Sequence, residues 1–243
     1  MTGLPDVPPP SVPAGPPSAA PPRVPSAAHR VQYGALRTFI AGLGLLGAER
    51  AVRVGAAIGT LGFRPFHIRR TVVERQIAAA FPDLGPAAVR DVARRAYAHL
   101  GLVTVETALL SRMGPADVLA MVERADGWDI VERRIALGKG LIVVSGHLGN
   151  WELGAAYLAA RGYQVDAVVR RMGNPLFDAY LTRARSRLGM TVVRDRDAVR
   201  RTPRTLRAGR AVGLLIDQAG LNTASTYVPF FGRPAKTPRG AAV

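Results

Sequence analysis

The sequence predicts an α/β fold: a mostly parallel central sheet flanked by helices, preceded by an N-terminal helical region. Two observations carry this reading. From residue 141 onward, short apolar runs alternate with helix-length segments that stop at glycine, the signature of strand–helix–strand crossover units. Between residues 71 and 137 the apolar positions instead follow the 3.6-residue period of helices. With 243 residues the chain is long enough to bury a sizeable core.

Residues 1–28 hold ten of the nineteen prolines, and Asp6 and Arg23 are their only charged side chains. A Pro/Ala/Ser tract of this kind cannot bury enough apolar surface to offset the entropy of ordering, so a disordered, partly extended Pro-rich tail is expected. It lacks the basic start and apolar centre of a secretory signal. Residues 29–70 are apolar, glycine-rich and studded with arginine. Their longest uncharged run, 38–48, falls short of the roughly 20 apolar residues a spanning helix needs. Glu49, Arg50 and Arg53 follow it, and all three are costly in hydrocarbon. Two readings remain: helices lying on a membrane surface with their arginines among anionic headgroups, or an apolar hairpin packed on its own domain. A tilted single span is a third.

Helices are expected over 71–81 and across the periodic positions Val89 to Ala108, separated by Pro82, Gly85 and Pro86, with a short one opened by Gly114-Pro115. Strands are expected at 141–145, 165–169, 190–193, 211–216 and 226–231. Helices fill 151–161, 175–188 and 197–208, and Gly162, Gly189 and Gly209 end them. Residues 71–243 thus form one α/β domain.

Lys and Arg number 33 against 17 Asp and Glu, a formal net charge of +16 that points to anionic partners such as phospholipid, phosphorylated substrate or nucleic acid. Aromatics are only 6%, too few for stacking platforms that hold single-stranded nucleic acid, and no helix-turn-helix or aromatic RNA-binding signature occurs. The absence of cysteine excludes disulfides, thiolate metal sites and cysteine nucleophiles.

The sharpest feature is SGHLGNWELG at 145–154. His147 falls just past the carboxyl end of a predicted strand, where open α/β sheets place their ligands. Glu152 falls in the first turn of the next helix, and Asn150 is a suitable N-cap for it. A histidine with a carboxylate partner is a general base: imidazole takes a proton from a hydroxyl near neutral pH, and the carboxylate fixes its tautomer. No serine or cysteine elbow accompanies the pair, so the activated hydroxyl is expected to belong to the substrate. A metal site is not expected, because HExxH spacing is absent and only His29, His67 and His99 remain.

Four blocks resemble the bacterial lipid A biosynthesis acyltransferases, a family that also includes phosphatidylinositol mannoside acyltransferases. They are GHLGNWE (146–152), RRMGNPLFDAYLTRARSRLG (170–189), AVGLLIDQ (211–218) and VPFFGRP (228–234), in that order. The resemblance covers about 31–243 and implies an acyltransferase with His147 as base and Glu152 as its orienting partner. It also implies Arg170 as a holder of an anionic group, with Arg196 and Asp217 near the site. Asn150, inside the first block, is counted among the substrate-binding candidates; Arg185 and Arg187 are read as a solvated helix face.

No cofactor is implied beyond an acyl carrier protein or coenzyme A thioester as donor. The implied partners are a membrane lipid acceptor and an anionic membrane surface, without nucleic acid. The implied location is the cytoplasmic face of a bacterial inner membrane, and the acceptor a lipid A-type glycolipid or its precursor. The alternatives are a phosphatidylinositol mannoside or lysophospholipid acceptor, water as acceptor in a thioesterase, or, from a different class, a non-catalytic basic protein. The resemblance also implies a single hydrophobic anchor, which charge interrupts here. It implies further chain beyond Val243, so the C-terminal part of the domain is expected to be short or missing.

Overall fold

The computed structural model describes residues 24–218 and 224–242, so most of the predicted tail lies outside the described residues. Six helices come first: α1 (Ala27–Leu45), α2 (Ala48–Phe63), α3 (Arg70–Ala80), α4 (Pro86–Leu110), α5 (Pro115–Ala120) and α6 (Trp128–Ala136). The alternating part follows as β1 (Leu141–Ser145), α7 (Trp151–Ala160), β2 (Val165–Val169), α8 (Pro175–Arg187), β3 (Met190–Arg194), α9 (Asp195–Arg207) and β4 (Ala211–Leu215). A hairpin of β5 (Ser225–Phe230) and β6 (Arg233–Pro238) completes the described chain. Ser26 caps α1 by accepting from the His29 N–H at 3.2 Å, so helix begins two residues inside the segment assigned to the tail.

The four strands β1 to β4 form one parallel sheet in the order β1-β4-β2-β3. The chain steps one way across it from β1 to β2 to β3, then reverses to reach β4. Because parallel crossovers are right-handed, that reversal puts α9 on the face opposite α7 and α8. Asp166 on β2 fits this placement: it reaches Thr205 of α9 at 2.8 Å, while its neighbour Val165 joins the core with Ala156 and Leu158 of α7. A carboxylate in a buried strand needs full pairing. Asp166, 2% exposed, has it, from Thr205 and from the Arg210 guanidinium. The core on the α7 face also takes in Leu110 from α4 and Val118 from α5, which joins the helical region to the sheet.

The glycines of α2 explain how the apolar segment packs. A side chain at Gly55 would lie 2.7 Å from the Gly101 carbonyl, and one at Gly101 would lie 2.7 Å from the Gly59 Cα. The backbones of α2 and α4 therefore touch, which only glycine at these positions allows. One face of the segment is thus a packed hairpin, while Phe39 and Leu45 on α1, Leu46 just after it, and Ile58 and Leu61 on α2 stay exposed. No helix among the described residues is long and apolar enough to cross a membrane.

The predicted strand at 226–231 exists as β5, but it does not extend the parallel sheet. It pairs antiparallel with β6 through a turn at Phe231 and Gly232, both at positive φ (47° and 68°), the backbone that suits a tight hairpin. The sequence reading did not include β6, whose Pro234 and Pro238 are unfavourable in a central strand. In a two-stranded ribbon both strands are edges, where proline is tolerated; Pro229 and Pro234 sit directly opposite each other.

Gly101→Ala is expected to destabilise the fold by about 1–3 kcal/mol, because backbone cannot yield as a flexible side chain would. Gly42→Ala on α1, with nothing within 4 Å of the added carbon, is expected to be neutral or stabilising by up to about 1 kcal/mol. Thermal melts of the two variants against wild type test the contrast.

Candidate active site

Every side chain of the candidate site stands on or just beyond the carboxyl edge of the sheet, and strand register decides which of them meet. β1 and β4 pair from Leu141↔Ala211 to Ser145↔Leu215, and the Ile216 N–H extends the ladder to the Ser145 carbonyl at 3.1 Å. His147 and Asp217 each lie two residues past the paired strand ends, so they leave the sheet side by side. The Asp217 carboxylate accepts from His147 twice, from ring Nδ1 at 2.8 Å and from the backbone N–H at 2.7 Å. A carboxylate only accepts, so Nδ1 carries a proton, and in the neutral ring Nε2 keeps its lone pair. Gly146 lets the acid come this close: a side-chain carbon there would lie 3.2 Å from the carboxyl carbon. Trp151 packs edge-on against the imidazole with centroids 4.7 Å apart. The His147 side chain is 30% exposed.

The sequence reading gave His147 the carboxylate of Glu152; the structure gives it that of Asp217. Glu152 turns instead to α8, where the Arg185 guanidinium holds it in a two-point pair at 2.9 and 2.5 Å. Both side chains are largely buried, so Arg185 is no solvated surface residue. Asn150 caps α7 by accepting from the Leu153 N–H at 3.0 Å, and its amide donates to Glu106 of α4 at 3.0 Å. Its observed bonds fix the start of the helix. At Gly149 the backbone has φ 54°, which aims the chain into that cap.

Arg170 follows β2 and Arg196 follows the end of β3, so both stand on the same edge of the sheet. The Arg170 Nε lies 3.6 Å from Asp195, and its side chain is 78% exposed. Arg196 is exposed, and its backbone N–H donates to Asp195 at 2.9 Å. Neither bonds to the His147–Asp217 pair. Among the described residues no group of three or more His, Asp or Glu side chains is placed to hold a metal ion.

Residues 27–243 match the family described as bacterial lipid A biosynthesis acyltransferase. The chain belongs to that family. Among curated proteins it is similar to the lipid A biosynthesis lauroyltransferase of Escherichia coli (strain K12), at 25% identity over 179 residues. That alignment covers 74% of this chain and 58% of the relative, so the chain matches well under two thirds of the relative's length.

Burial pushes the Asp217 carboxyl up, but donation from the His147 ring, from the His147 N–H and from its own N–H outweighs it and holds the carboxyl below its usual value. Asp178 on α8 behaves alike: burial raises it, and the Arg194 guanidinium with the Met172 N–H more than reverses that. A carboxyl depressed in the folded state stabilises the fold above its unfolded value of about 3.9, and that contribution disappears as pH falls through the folded value. Asp178→Asn is therefore expected to lower stability at pH 7 and to flatten its decline between about pH 4 and pH 2. Urea midpoints at both ends of that window check it. Glu152→Gln, which leaves Arg185 without its counter-charge, is expected to cost about 1–3 kcal/mol in the same measurement.

Proposed function

We propose that this protein transfers a fatty acyl chain from a thioester donor, acyl carrier protein or coenzyme A, to a hydroxyl of a lipid A-type glycolipid or its precursor. The observation that carries the reading is the His147–Asp217 pair, in which Nδ1 is bound and Nε2 is left without a hydrogen-bond partner among the described residues. His147 Nε2 accepts the hydroxyl proton as the oxygen attacks the thioester carbonyl. The C–O bond forms, the C–S bond breaks, and the proton passes from the imidazolium to the departing thiolate. Asp217 holds the ring and stabilises the charge it gains, the role that the family resemblance gave to Glu152. Glu152 acts at one remove, fixing α7 against α8 through Arg185.

The tetrahedral oxyanion falls to backbone N–H groups at the start of α7, where Trp151 and Glu152 have no intrahelical acceptor. Arg170 and Arg196, exposed on the sheet edge, supply positive charge for an anionic group of donor or acceptor. The reaction is assigned to the anionic cytoplasmic face of a bacterial inner membrane, with the protein held at the surface. Two features support this: the net charge of +16 and the exposed apolar residues of α1 and α2.

The test is transfer of a labelled acyl group from a thioester to a lipid A precursor. General-base assistance supplies about 10²–10⁴-fold, so His147→Ala is expected to lose at least about a hundredfold with its circular dichroism unchanged. Asp217→Asn is expected to lose at least about tenfold through the wrong tautomer. Full activity in either variant contradicts the assignment.

A further inference from the structure

A cavity of about 830 Å³ opens between α1, the C-terminal end of α4 and α8, on a part of the molecule that none of the proposed reacting residues lines. Four arginines line it: Arg37 on α1, Arg112 just past α4, and Arg183 and Arg187 on α8. No carboxylate lines the cavity, and among the described residues none forms an ion pair with any of the four. On α8 itself Arg185 is matched by Glu152. The contrast follows helix geometry. Tyr180, Arg183, Ala184 and Arg187 recur at the spacing of one helix face, while Arg185 is rotated toward α7.

Two of the four arginines, Arg37 and Arg112, are held by groups that leave their charge uncancelled. Arg37 donates to the Tyr33 hydroxyl at 3.3 Å and lies 5.2 Å from the ring centre of Tyr180. Tyr180 is itself fixed by a 2.5 Å bond to Ser111. Arg112 donates to the Ile40 carbonyl at 3.4 Å and crosses Gly44, where any side chain would collide with it. Four like charges around one cavity repel each other, and an anion placed among them relieves that repulsion. Guanidinium matches phosphate oxygens with two parallel hydrogen bonds. The volume falls within the range of small-molecule sites, roughly 300–1,000 Å³, and exceeds what a phosphate group alone fills. Ile40 and Ala41 give one wall an apolar character, and α1 also exposes Phe39 and Leu45.

We infer that this cavity binds the phosphate group of a phosphomonoester or diphosphate ligand, at a site distinct from the His147–Asp217 pair and independent of the acyl-transfer reading. Titration calorimetry on the full chain tests it with three probes: inorganic pyrophosphate, and monomeric dihexanoyl phosphatidic acid and dihexanoyl phosphatidylcholine. Pyrophosphate and the phosphatidic acid are expected to bind, and the phosphatidylcholine is not. The double variant Arg183→Gln/Arg187→Gln, at two exposed positions without ion pairs, is expected to melt as wild type does and to weaken binding at least about tenfold. The charge-matched pair Arg75→Gln/Arg90→Gln, on α3 and α4, is expected to change it less than about twofold. Tighter binding of phosphatidic acid than of pyrophosphate assigns the phosphate to a lipid; the reverse order assigns it to a soluble compound. Absence of binding by both, equal losses in the two double variants, or equal binding of the phosphatidylcholine overturns the inference.

Discussion

The register between β1 and β4 is the constraint on which the candidate site rests. Parallel pairing that ends at Ser145↔Leu215 brings residues 147 and 217 into contact although 70 positions separate them. A slip of one residue would turn every side chain of the strand to the opposite face. The core therefore protects the site: Ala211, Val212 and Val165 are almost fully buried and hold the central strands in place. Once the strands are set, the histidine needs no further choice of partner. Its backbone N–H and its ring meet the same carboxylate, which fixes both ring position and tautomer.

A second layer of organisation lies in how a very basic chain distributes its few carboxylates. Three of them tie separate elements together in largely buried pairs. Glu152–Arg185 joins α7 to α8, Asp178–Arg194 joins α8 to the end of β3, and Asp166–Arg210 joins β2 to the entry of β4. Breaking such a pair leaves a poorly solvated charge behind, which is why these contacts matter more than their number suggests. Pairs such as Glu49–Arg53, both ends well exposed, contribute about 0.3–0.5 kcal/mol each. With the acids committed in this way, the remaining arginines are left to the surface, to the carboxyl edge of the sheet, and to the cavity between α1, α4 and α8.

Much of the fold is written in local sequence. The strand at 165–169 and the glycine stops at 162, 189 and 209 are legible because each rests on a short-range cause: an apolar run, or a backbone at positive φ. β6 is hidden because its prolines disfavour a central strand, whereas it belongs to an isolated ribbon. The site is legible in part for a related reason. His147 stands out through the strand–loop–helix pattern around it, and Asp217 through an acid ending an apolar run. Which carboxylate meets the imidazole depends on strand order, and strand order is not printed in any local stretch. Sequence proximity favoured Glu152, five residues away, over Asp217. Arg185 was hidden in the same way, since only the packing of α7 on α8 reveals that it faces inward. The glycines of α2 read equally as membrane-seeking or close-packed until α4 is seen against them.

The central claim is that Asp217 holds His147 with Nδ1 protonated and Nε2 bare. Nitrogen-15 NMR of labelled histidine, recorded where the ring is neutral, reads this directly. The account predicts a single Nδ1–H tautomer for His147 in the wild-type protein, and its loss in Asp217→Asn. A dominant Nε2–H tautomer, or a mixture that the Asp217 substitution leaves unchanged, would contradict it.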